Sequence, residues 1–253
     1  MSEPVLVTHS GSVTTVTLNR PERRNPLSLE MITALGRVIA DTDATVIVIA
    51  ATGPAFSAGH DLREMSSRDP EFYDELFDAC GALMLAIHRL PQPVIACVQG
   101  IATAAGCQLV AACDLAIAGE TARFATPGVR VGLFCTTPMV EVARAIGRKR
   151  AMQMLLTGEP IDAETAADWG LVNEVVPAGR LEERTTELAA QIATASPLVL
   201  ATGKRAFYDN LEPGLPDAYD HAGAIMAASA TTDDAQEGFA AFLGKRTPTW
   251  TGR

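Results

Sequence analysis

Ser57, His60 and Asp61 fall within five residues of one another in the stretch SAGHD, and all three types belong to nucleophilic catalysis. A working triad chains nucleophile to base to orienting acid, with side chains that usually arrive from separate elements. The GxSxG elbow that would expose the serine is also absent. This stretch therefore reads as a polar loop between a strand and a helix. Gly203-Lys204 resembles the end of a phosphate loop but lacks the earlier glycine. The four histidines form no HExxH, and Cys107 and Cys113 are too far apart for CxxC, so no metal site is expected. Cys135, in the loop FCTTP, is a thiol with no histidine near it in sequence, and reads first as buried and inert.

What remains is main-chain chemistry. AFSAGHD and GIATAAGCQ each join a buried strand to a helix through small residues. The first N–H groups of a helix lack intrahelical partners and carry partial positive charge. Two such groups meeting at one oxygen would form an oxyanion hole. The same stretches could equally be two ordinary strand-to-helix turns.

The elements that must position these turns follow from hydrophobic spacing. VLVTHSGSVTTVTLN predicts a hairpin about Ser10-Gly11. Pro21 and Asn25-Pro26 break the chain, and Ser28 caps a helix over Leu29–Ala40. Buried strands are expected at 45–50, 94–98 and 114–118, and a helix at 72–90. GPAFSAGHDLREM between them is expected to be a loop. Beyond Pro138 the pattern is almost wholly helical, with a helix from Asp162 to Gly170 and a short strand at 171–176. Alternating strands and helices predict an α/β architecture of ββα repeats or crossovers. The expected division is a β-rich core over residues 1–195 and a helical C-terminal region over 196–253.

Composition narrows the partners. With 48% hydrophobic residues in 253, the chain can bury a full core. A net charge of −10 argues against nucleic acid but leaves room for an anionic small ligand. Five cysteines suit reduced, buried thiols. The N-terminus lacks the basic start and apolar stretch of a signal peptide, and the apolar region 82–105 is too interrupted to span a bilayer. The expected setting is cytoplasmic, with no membrane partner.

AFSAGHDLREM followed by PVIACVQGIATAAGCQLVAACDLAIA resembles the paired signatures of the crotonase (enoyl-CoA hydratase/isomerase) superfamily. LNRPERRNPLS, LLTGEPIDAETAADWGLVNEVVP and SATTDDAQEGFAAFLGKR extend the resemblance along essentially the whole chain, and FATPGVRVGLFCTTP is similar to one subgroup within it. The resemblance implies a spiral of ββα units with a C-terminal helical trimerisation region, trimers often pairing into hexamers. It implies an acyl-CoA or enoyl-CoA thioester ligand, coenzyme A entering as part of the substrate and no separate cofactor. The oxyanion-hole N–H groups fall on His60 and Ala105. Arg23, Arg24 and Ala58 fall on positions bordering coenzyme A, and Phe242 and Lys245 on tail positions that reach a neighbouring subunit's ligand.

One departure bears on mechanism. The two glutamates that family hydratases use as acid and base fall on Gln108 and Gly128, and a third acidic position falls on Thr136. None of these can be a carboxylate base. Other candidates for moving protons are Glu141, Cys135 and the His60 imidazole. The resulting expectation is an acyl-CoA-binding protein with its oxyanion hole retained and its hydration relay lost. Its turnover is either of another kind or absent, as in an acyl-CoA-binding pseudoenzyme.

Overall fold

The computed structural model describes residues 3–253. The chain opens with the antiparallel hairpin β1 (Val5–Ser10) and β2 (Val13–Leu18), followed by α1 (Leu29–Asp41), whose first turn Ser28 caps by accepting from Met31 N at 3.2 Å. The next unit is β3 (Val46–Ala51), β4 (Ala55–Ser57), α2 (Leu62–Met65) and α3 (Pro70–Arg89). Then come β5 (Val94–Val98), β6 (Ile101–Thr103) and α4 (Ala105–Ala112), followed by β7 (Leu115–Gly119) and β8 (Arg123–Ala125). The rest is α5 (Pro138–Ile146), α6 (Arg148–Thr157), β9 (Ile161–Asp162), α7 (Ala163–Trp169), β10 (Glu174–Val176), α8 (Leu181–Ile192), α9 (Pro197–Asp209), α10 (Leu215–Ser229) and α11 (Asp233–Leu243).

These strands form two sheets, ordered β1-β2-β3-β5-β7-β10 and β4-β6-β8-β9. Each of β3, β5 and β7 lies in the first sheet, and its successor β4, β6 or β8 lies in the second. After β4 and β6 a helical connection returns the chain to the first sheet, a repeated step that makes a spiral of ββα units. After β8 the helices lead first to β9, beside β8 in the second sheet, and then through α7 to β10 in the first. β3 and β5 pair in parallel, and Val46–Ile49 and all of β5 are buried, as expected for strands covered on both faces. One face packs on α1, α3 and α4 in the main core around Leu35, Leu76, Ile87 and Leu109, and the other packs under α8 through Leu181 and Ala189.

Residues 53–65, expected to be a loop, instead contain β4 of the second sheet and α2. β4 and β6 are three residues each, AFS and IAT, too short to announce themselves as strands. They exist because each continues a buried strand of the first sheet across a short turn.

Lys204 is not part of a phosphate loop. Its side chain is buried in α9, where Nζ donates to Ile87 O at 2.7 Å and Gln92 O at 2.8 Å and pairs with Asp114 at 2.6 Å. Asp114 also accepts from Val94 N and the Tyr208 hydroxyl. This network ties α9 to the end of α3 and the start of β5.

Candidate active site

The first turn is built around Asn25, fully buried at a left-handed φ of 49°. Its side-chain oxygen accepts from Arg20 N at 2.7 Å, and its amide donates to Thr52 O and Ala55 O, both at 2.9 Å. The Ser57 hydroxyl donates to Asn25 O at 2.8 Å, Ala58 N donates to Arg24 O, and Leu27 N donates to Gly59 O. Segment 20–27 is thereby knit to the β4–α2 turn. The sequence reading gave Asn25 only as a chain break. The available signal was its type, since asparagine tolerates the left-handed region and can bond main chain on two sides.

Ser57, His60 and Asp61 do not converge into a triad. Ser57 is engaged with main chain, Asp61 is ion-paired with Arg23, and the His60 ring bonds Leu27 O.

The second turn closes on the first. Ala104 precedes α4 with φ 49° and ψ −119°, a conformation an L-residue adopts only under constraint, and its N–H donates to Ala125 O at 2.9 Å. Gly59 has φ +81°, and a Cβ built on it would lie 2.8 Å from Thr103 O and 3.1 Å from Ala105 N. Any side chain there would separate the two turns, so glycine is required. The contact sets the main chain beside His60 against the N-terminus of α4. Neither the His60 amide nor the Ala105 amide donates to another group among the described residues. Ala105 also stands at the positive end of the helix dipole.

A cavity of about 280 Å³ opens at this point, walled by Ala58, His60 and Ala105 and by apolar residues that include Met65, Phe77 and Phe134. Gly128, Cys135 and Thr136 join the wall from the far side. A Cβ on Gly128 would stand 2.0 Å from Leu133 O and 2.8 Å from Cys135 Sγ, because segment 127–133 folds back on itself through Leu133 N donating to Gly128 O. The place a larger side chain would take at 128 is already filled by backbone. Cys135 Sγ accepts from Gly128 N at 3.3 Å, and burial raises the pKa of this thiol, which keeps it protonated. Cys107, fully buried behind it, is pushed up to about 12.

Other residues anticipated for the site are not in this wall. Gln108 is 3% exposed, and its Oε1 faces the Cys80 thiol at 3.9 Å. Glu141 is buried elsewhere, facing a separate cavity and pairing with His88 Nε2 at 3.4 Å. That position removes it as a proton donor or acceptor at His60 and Ala105. Arg23 and Arg24 lie beside the first turn; Arg23 is paired with Asp61, while the Arg24 guanidinium has no partner among the described residues. Phe242, 84% exposed at the end of α11, and the exposed Lys245, two residues beyond that helix, do not line the cavity within their own chain.

Two main-chain amides with no partner among the described residues belong to residues that line an apolar cavity on a ββα spiral. Residues 8–253 match the enoyl-CoA hydratase/isomerase family, and the chain belongs to it. Within that family it is 46% identical to enoyl-CoA hydratase domain-containing protein 3, mitochondrial, of Rattus norvegicus, over 98% of this chain and 85% of the relative. The crystal structure of the human protein of that name superposes with a TM-score of 0.95 at 44% identity, covering 98% of this chain and 100% of the other. The 2,3-dehydroadipyl-CoA hydratase of Escherichia coli is 35% identical over the full length of both chains. The resemblance of FATPGVRVGLFCTTP to one subgroup is thus to the domain-containing protein 3 group. The cytoplasmic expectation is corrected by the same finding: relatives of this group from rat, zebrafish and human are named as mitochondrial.

Proposed function

We propose that this protein binds acyl-CoA thioesters with the carbonyl oxygen between the amides of His60 and Ala105, and stabilises an enolate or oxyanion there without two-carboxylate hydration. The observation that supports this reading is the close approach of Gly59 to Ala105 N, together with amides of His60 and Ala105 that have no partner among the described residues and belong to residues lining an apolar cavity. Arg23, Arg24 and Ala58 would border the coenzyme A moiety. Phe242 and Lys245 would reach it from a neighbouring subunit of a homotrimer or a dimer of trimers.

Gln108, Gly128 and Thr136 stand where the family places its acidic residues, and none can take a proton as a carboxylate does. General acid–base assistance gives roughly 10²–10⁴-fold per group, so losing two groups costs about 5 kcal/mol or more of barrier. Syn hydration of an enoyl-CoA is therefore expected to be very slow. A second reading, binding without turnover, is favoured by the buried, cavity-averted position of Gln108.

The test is a panel of short, medium and long acyl- and enoyl-CoA thioesters, with binding and conversion measured on the same samples. Binding with double-bond migration, hydrolysis or exchange supports the first reading. Tight binding with no conversion selects the second, and no binding overturns both.

A further inference from the structure

The residue that offers one of the two amides also carries a side chain with unused chemistry. His60 Nδ1 lies 2.9 Å from Leu27 O. A carbonyl only accepts, so Nδ1 carries the hydrogen and the neutral ring keeps its lone pair on Nε2. Nε2 is buried and has no hydrogen-bond partner among the described residues. The ring lines the cavity, with the Phe77 ring edge-on at 5.5 Å between centroids. An unpartnered buried acceptor costs stability, and a catalytic role is one reason a protein keeps one.

The other proton-handling groups are excluded by position or chemistry. Glu141 faces another cavity, and Cys135 is a protonated thiol that already accepts from Gly128 N. Among the charged groups at the cavity and its rim, Arg130 is ion-paired with Glu159 and Asp61 with Arg23. None of these pairs is free to take a proton from a bound ligand.

We infer that His60 is the base of this site: Nε2 takes a proton from the α-carbon of a bound acyl thioester while the same residue's main-chain N–H donates to the thioester oxygen. This rests on the acyl-thioester reading above. In the step a C–H bond breaks and an Nε2–H bond forms. The C–H electron pair becomes a carbon–carbon double bond, and negative charge moves to the oxygen between the two amides. Return of the proton to the same carbon, or to one further along the chain, regenerates the neutral imidazole, and nothing is oxidised or reduced. Because Nε2 is shielded in the free protein, the ring turns about its Leu27 bond, or Phe77 turns aside, as the acyl group enters. Burial holds the His60 pKa below its ordinary 6.5, so the ring is neutral and able to accept a proton at pH 7.

The oxygen site is main chain, so His60→Ala and His60→Gln remove the base and leave both amides. The experiment follows deuterium uptake at the α-carbon of butyryl-CoA in D2O by mass spectrometry, with binding of butyryl-CoA measured alongside. The wild type is expected to exchange, with a rate that falls as pH drops through a value below 6.5. Both variants are expected to bind comparably and to lose about 10²–10⁴-fold of the exchange, with added imidazole restoring part of it in His60→Ala. Exchange in the variants at the wild-type rate, or a wild type that binds without exchanging, overturns the assignment. Should the variants not fold, the wild-type pH profile decides alone, an exchange rate that stays flat down to the acid limit of the folded protein overturning it. Failure of the wild type to bind any acyl-CoA overturns the thioester reading itself, and this one with it.

Discussion

At residue 128 the backbone leaves no room for a side chain. A glutamate there would need its Cβ where Leu133 O already lies, 2.0 Å away. Substituting glutamate at 108 and 128 together would therefore be expected to disturb segment 127–135 instead of installing an acid–base pair. Even Gly128→Ala should lower stability by about 1–3 kcal/mol, the usual penalty for overpacking, read as a drop in the urea midpoint. An unchanged midpoint would mean the segment yields freely. Gly59→Ala tests the other close approach. With φ +81° and Thr103 O 2.8 Å from the added carbon, the two turns should part. Any thioester conversion by the wild type should then fall roughly 10²–10³-fold, the scale of losing one oxyanion donor. Wild-type turnover in this variant would show that the two amides do not act together.

At the scale of elements, α9 is held by one buried cation. Lys204 gives two hydrogen bonds to main-chain carbonyls of 87 and 92 and pairs with Asp114, whose other contacts reach β5 and Tyr208. Lys204→Met removes the charge and leaves Asp114 without its countercharge. The expected loss is about 3–5 kcal/mol, as for other broken buried pairs, measurable by chemical denaturation. A loss under about 1 kcal/mol would place the pair among ordinary surface bridges. The C-terminal tail is tied in a different way. Glu237 bonds the Arg246 guanidinium and Thr249 N, Asp234 accepts from Ser196, Thr251 and Gly252, and Trp250 Nε1 donates to Thr194 O. The Arg246 hydrogen bond, with that from Thr249 N, holds Glu237 at about 2, below its ordinary 4.5. A carboxylate depressed in the folded state contributes stability above its unfolded pKa and loses it as pH falls toward the folded one. The tail is therefore expected to loosen between pH 4.5 and about 2, followed by Trp250 fluorescence in a Trp169→Phe background. A signal constant through that range would rule the ion pair out as the fastener.

For the whole molecule, the C-terminal surface is notable for exposed apolar side chains. α10 buries no residue, and Leu215, Tyr219 and Met226 on it are each more than 70% exposed, as are Phe242 and Leu243 at the end of α11. Faces of this kind mark protein interfaces. The protein is expected to elute and scatter light at about three times its 26.7 kDa chain mass or at twice that assembly. Tyr219→Asp with Met226→Asp should shift it toward monomer. A wild type that is monomeric at micromolar concentration would leave Phe242 and Lys245 with no neighbouring ligand to reach.

What the sequence determined by itself was whatever depends on neighbours along the chain. The hairpin, the Ser28 cap and the strand at 94–98 follow from β-branched runs, capping chemistry and turn residues, and the structure has each of them. The family was legible for a related reason, since its signatures are continuous stretches. Only the tertiary structure decided matters that depend on approach across the fold. β4 and β6 are strands because the spiral carries them there, a long-range constraint acting on segments of only three residues. Cys135 and Glu141 lie six residues apart, yet one walls the cavity and the other is turned away to pair with His88, because the start of α5 divides the two cavities. The unpaired Nε2 of His60 is the sharpest instance. Its tautomer is set by the carbonyl of Leu27, thirty-three residues earlier in the chain, and local spacing does not show which side chain a distant carbonyl will meet.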